Sequence, residues 1–102
     1  MKYKILQFKD IKKVNYAFMS YEYAKEHDLS LDDYDVVYED EIESGRYIEN
    51  TLENIFTKFN IDRPKDFKGH SMSVSDIVMI GGEYWYIDSF GFKKLNKHDL
   101  LQ

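Results

Sequence analysis

A chain of 102 residues has room for one core and one domain spanning residues 1–102; a domain of this size buries roughly 65% of the surface its unfolded form exposes. The absence of cysteine excludes disulfides, thiolate metal centres and cysteine nucleophiles, and no apolar run approaches the length of a bilayer span, so a cytoplasmic protein is expected. The net charge of −5 is unevenly spread, with ten acids against the single Arg46 in residues 28–53, so direct binding to nucleic acid is not expected and a basic protein surface is the natural partner.

Lys2–Phe8 alternates Tyr3 and Ile5 with lysines and then continues apolar, which predicts a first strand. Ile11-Lys12-Lys13 reads as a turn, and Val14–Met19 is β-prone. Ser20 is placed to cap a short helix over Tyr21–His27 that stops near Asp28 and Leu29. A second strand is expected at Tyr34–Tyr38, flanked by acids and closed by Ser44-Gly45.

The strongest helical signal follows. Asn50 and Glu53 have capping-box spacing, Leu52, Ile55, Phe56 and Phe59 form one apolar stripe, and the end is expected at Asn60. Asp62-Arg63-Pro64 then blocks continuation, because Pro64 lacks an N–H and pushes Arg63 out of the helical region. Asp76–Ile80 and Glu83–Phe90 are strand-like runs joined by Gly81-Gly82, and a two-residue primed turn there sets Val78 opposite Trp85 and Met79 opposite Tyr84. The sum is an α+β single domain: an antiparallel β-sheet with a C-terminal hairpin, packed against one or two short helices.

The segment Gly69-His70-Ser71-Met72-Ser73-Val74-Ser75-Asp76 raises the question of a hydrolytic triad. On an extended stretch Ser71, Ser73 and Ser75 would lie on one face and His70 on the other, with no nucleophile elbow, so turn formation through backbone bonds outweighs catalysis. A metal site from His70, Asp76, Asp88 and His98 has the right ligand types but no recognised spacing, and the glycines form no phosphate loop, so neither metal nor cofactor is expected. The acidic segment interleaves Asp32, Asp33, Glu39, Asp40 and Glu41 with Tyr34 and Tyr38, a mixture that can steer and anchor a basic partner. The aromatic hairpin residues Tyr84, Trp85 and Tyr86 form the alternative contact surface.

Four elements together resemble the YodL-like domain: Phe59-Asn60, Asp62-Arg63-Pro64, Gly69 to Asp76 with His70, Ser71, Ser73 and Ser75, and Tyr86-Ile87-Asp88-Ser89-Phe90-Gly91-Phe92. The match is specific from Thr51 to Leu95 and weaker upstream. The resemblance implies a small domain of Gram-positive bacteria, phages and conjugative elements, located in the host bacterial cytoplasm, with no catalytic residues to carry over. One member of that family is associated with interference with the actin-like cytoskeletal protein MreB. The function expected is therefore a non-enzymatic protein-binding module of a phage or mobile element that inhibits a host protein, such as an anti-CRISPR or anti-restriction protein filling a basic nucleic-acid groove. Modulation of MreB is one alternative, and a small hydrolase or metal-dependent enzyme using His70, Asp76 and Asp88 is another.

Overall fold

The computed structural model of the chain describes residues 1–43, 45–67 and 69–96. In chain order these form strand β1 (Lys2–Phe8), a 3-10 turn (Ile11–Lys13), helix α1 (Tyr21–Glu26), a second 3-10 turn (Leu31–Asp33), strand β2 (Tyr34–Glu41), helix α2 (Ile48–Ile61), and strands β3 (Ile77–Ile80), β4 (Glu83–Ile87) and β5 (Phe92–Lys94). All strand pairs are antiparallel in the order β2-β1-β3-β4-β5, which makes β2 and β5 the edges. The fold is α+β.

The period-two alternation of β1 sends Tyr3 and Ile5 to one face and Leu6 to the other. On the first face they meet Val78, Ile80, Trp85 and Ile87, and the α2 stripe of Leu52, Ile55 and Phe59 closes over them. On the second, Leu6, Ile77 and Tyr86 pack against Tyr21 and Ala24 of α1 and against Tyr16, Leu29 and Tyr34. Two cores therefore sit back to back across one sheet, and the aromatic side chains fill both.

Local signals place several elements well. Ser20 caps α1 by accepting from Tyr23 N at 3.3 Å. Gly81 and Gly82 take φ of 60° and 78°, as a primed turn requires, and Val78 pairs with Trp85 and Met79 with Tyr84.

Elsewhere the structure corrects the sequence reading. Val14–Met19 forms no strand, because buried Tyr16 anchors it over the second core and Phe18 turns back at φ 64°. Helix α2 begins at Ile48 with Tyr47 at its N-cap, so Asn50 lies inside the first turn rather than at the cap. Its neighbour Thr51 turns inward, and its hydroxyl oxygen accepts from Gly45 N at 2.9 Å. Strand β2 runs on to Glu41 because Lys2 and Lys4 stand opposite Glu41 and Glu39, which offsets the repulsion among its carboxylates. Strand β5 has only three residues, too few to show a period of its own; its pairing with β4 makes it a strand. Ser44, expected to help close β2, lies outside the described residues.

Candidate functional site

The segment from Gly69 to Asp76 is held by a residue the motif does not contain. Gln7 is a glutamine in an otherwise apolar stretch of β1 and is buried. Its Nε2 donates to Asp76 Oδ2 at 3.0 Å and to His70 O at 2.9 Å, while its Oε1 accepts from His70 N at 3.2 Å. A Cβ on Gly69 would collide with Gln7 Oε1 and the Phe67 ring, so a larger residue there would push the Gln7 amide off its bonds to His70. A lone amide in a buried strand was the sequence signal for this contact.

Around that link the polar side chains serve the backbone. Ser73 N donates to Asp76 Oδ2 at 3.0 Å, and Asp76 N donates to Ser73 O at 3.1 Å, closing a turn. Ser75 adopts φ 84°; its hydroxyl oxygen accepts from Phe18 N at 2.8 Å and its carbonyl accepts from the Tyr34 hydroxyl at 2.6 Å. The segment is thus a backbone-bonded turn, the arrangement its sequence favoured, rather than the extended stretch that would put its serines on one face. Asp88 acts similarly at the end of β4, its Oδ1 accepting from Tyr21 N at 3.0 Å and Ser89 N at 2.8 Å. Asp88 N in turn donates to Gly91 O across the β4–β5 turn.

Burial raises the Asp76 carboxyl from 3.8 to about 6, against the lowering effect of the bonds from Ser73 and Gln7 and of nearby His70. Burial also pushes the hydroxyl of Tyr3 up to about 12, and raises those of Tyr16, Tyr34 and Tyr86. His70 directs Nδ1 to Ser71 O at 2.7 Å, with Gln7 Nε2 at 3.3 Å, rather than to a serine hydroxyl. Ser73 Oγ is buried and has no hydrogen-bond partner among the described residues. Among the described residues no group of three or more His, Asp or Glu could hold a metal ion, and His98 lies outside them.

The surface residues divide sharply. Glu39, Asp40 and Glu41 are exposed on the edge strand β2, with Asp32 exposed in the turn before it. Asp33 is half-buried and accepts from the Tyr16 hydroxyl at 2.8 Å. The aromatic candidates mostly point inward. Tyr34 and Tyr86 are buried in the second core, Trp85 in the first, and Tyr38 packs edge-on against Phe59 and Phe67. Tyr84 is half-buried. An aromatic docking face on the hairpin is thus ruled out for Trp85 and Tyr86, since successive residues of β4 point into opposite cores.

Of the remaining motif residues, Asp62 ends α2, its N–H donating to Lys58 O at 2.8 Å, and Pro64 O accepts from Phe67 N. Arg63, Ser71 and Ser89 are exposed. Phe92 is half-buried and lines a cleft of about 220 Å³ between α2 and the β4–β5 turn, together with Glu53, Phe56, Val74, Ile87 and Asp88. Phe90, in the turn itself, is 90% exposed. Among the described residues no helix is long and apolar enough to cross a membrane.

Comparison with known proteins bears on this arrangement. A family model described as YodL-like domain matches residues 2–97. The chain is also 36% identical over 81 residues to an uncharacterized protein of Acanthamoeba polyphaga mimivirus, covering 68% of this chain and 75% of that protein. No solved structure matches at a significant level.

Proposed function

The chain belongs to the YodL-like domain family, and from that premise we propose that it is a small non-enzymatic accessory protein that inhibits a host protein by offering its acidic β2 edge to a basic, nucleic-acid-binding groove. The observation that carries this reading is the row of exposed carboxylates Asp35, Glu39, Asp40 and Glu41 on one edge strand, together with Asp32 before it. The viral relative is compatible with an accessory role. Two features direct the edge toward contact through side chains. The register of β2 shifts between the partners of Ile5 and Leu6, and Asp40 Oδ1 takes up the Glu41 N–H at 2.8 Å, so the edge is poorly suited to pairing with another strand. Clustered carboxylates then resemble a phosphate backbone in charge and speed association with a basic surface.

The non-enzymatic part of the reading is supported by where the polar groups of the turn are spent. Asp76, Ser75 and the Gln7 amide bond backbone groups or one another, as a fold-defining turn does. The test is capture of the partner from a bacterial lysate, followed by association rates across a salt series for the parent and for a variant with Asp35, Glu39, Asp40 and Glu41 changed to Lys. Asp33 is spared because it holds Tyr16. The parent rate should fall as salt screens the charges over about 8–10 Å, and the variant should associate at least tenfold more slowly at low salt. Equal rates with a flat salt dependence, or capture of the actin-like cytoskeletal protein alone, would overturn the groove-filling role.

A further inference from the structure

We infer that the cleft between α2 and the β4–β5 turn is a second contact point, which takes a lysine or arginine side chain projected by a partner protein. The inference rests on the reading of the chain as a binding module for a basic partner and adds a specific pocket to it. The cleft of about 220 Å³ has apolar walls from Phe56, Val74, Ile87 and Phe92 and is also lined by Glu53 and Asp88. Among the described residues the ion pairs are Lys4–Glu39, Lys25–Glu22 and Lys94–Glu83, so within these residues neither Glu53 nor Asp88 meets a cation; Asp88 Oδ1 already accepts from Tyr21 N and Ser89 N, which makes Glu53 the main carboxylate for a charged head. An alkyl stem against aromatic walls with its charged head at a carboxylate is the way long basic side chains are held, and half-buried Phe56 and Phe92 are among the residues that line this cleft.

The surroundings fit a contact surface. Phe90 is 90% exposed in the turn that borders the cleft, and an exposed phenylalanine is the kind of group an interface covers. The motif segments therefore do two things: their polar atoms knit the fold, while Val74, Ile87, Asp88 and Phe92 shape this cleft.

The test is a titration of the labelled protein, followed by amide chemical shifts, with N-acetyl-arginine methylamide, with N-acetyl-norleucine methylamide and with methylguanidinium. The arginine probe should shift the amides of Asp88, Gly91 and Phe92 saturably. Stem without charge and charge without stem should each bind at least threefold more weakly. Glu53→Gln, on the exposed face of α2, should weaken the arginine probe by threefold or more while leaving the remaining spectrum in place. Equal binding of all three probes, an unchanged affinity in Glu53→Gln, or shifts confined to residues 34–41 would overturn the assignment. The variant with lysines on β2 separates this inference from the function proposed above: it should keep arginine binding at the cleft while losing association with the partner. Loss of partner association without any arginine binding would remove the cleft and leave the acidic edge standing.

Discussion

Asp76 sets burial against charge most directly. Its carboxyl is buried and accepts two bonds at Oδ2, one from Gln7 and one from Ser73 N, yet burial still raises it from 3.8 to about 6. A carboxyl raised in the folded state contributes stability that is fully present below the unfolded value and is lost as pH rises through the folded one. Unfolding by urea should therefore show this contribution draining away between about pH 4 and pH 7, by an amount of order 1–3 kcal/mol. Asp76→Asn can place its carbonyl oxygen at the Oδ2 position and keep both bonds without the charge, so its stability relative to the parent should grow with pH over that window; parallel curves would refute the account. Asp76→Ala leaves the Gln7 amide and Ser73 N–H short of an acceptor and should cost about 1–3 kcal/mol near pH 4, and less as pH rises through about 6, because the alanine variant lacks the titrating group. Ser73→Ala makes a useful contrast. The sequence suggests a bonded hydroxyl there, but Ser73 Oγ is buried with no partner among the described residues and the backbone N–H makes the bond, so this change should leave the melting temperature unaltered or slightly raised.

At the scale of elements, the short helix α1 survives on its ends. Ser20 closes its start, and at its finish Leu29 N donates to Ala24 O at 3.1 Å, with Asp28 turned to φ 64° and Leu29 fully buried behind it. Aspartate tolerates that left-handed position and glycine prefers it, so Asp28→Gly should stabilise the protein by about 0.5–1 kcal/mol in thermal unfolding. The hairpin gives the opposite case. A Cβ on Gly82 would meet nothing within 4 Å, so the cost of Gly82→Ala comes from φ 78° alone. About 1–2 kcal/mol is expected, with Gly82→Asn milder because asparagine accepts the primed turn. A clash-driven effect would instead make the two substitutions scale with side-chain size. These elements were legible beforehand because their signals lie within a few residues: a serine three positions before the amide it caps, two adjacent glycines between alternating runs, an apolar stripe on α2. The starts and lengths were less legible. Tyr47 begins α2 without a side-chain cap, and β2 outlasts its apolar residues only because lysines of β1 face its acids.

For the whole molecule, the sheet order decides which chemistry meets solvent. With β2 at one edge, its carboxylates remain outside, and changing Asp35, Glu39, Asp40 and Glu41 to Lys should leave the fold in place at a cost of about 1–2 kcal/mol, from the lost pairing of Glu39 and Glu41 with Lys4 and Lys2 at the end of β2, while altering partner association. A collapse of the fold in that variant would mean that the acids are structural. The sequence by itself determined the class of the fold, the hairpin register, the α2 stripe and the uneven charge, because each is written in short periods and in composition. It could not decide which aromatic residues are interior. Trp85 and Tyr86 look alike as an exposed pair, and only packing on both faces of the sheet sends one to each core. Nor could it connect Asp76 to Gln7, which lies 69 positions earlier on a strand that reaches β3 only after β2 and α2 have intervened. Contacts of that separation leave no local pattern, since they depend on which strands become neighbours when two apolar faces are buried at once; the tertiary structure alone made that choice.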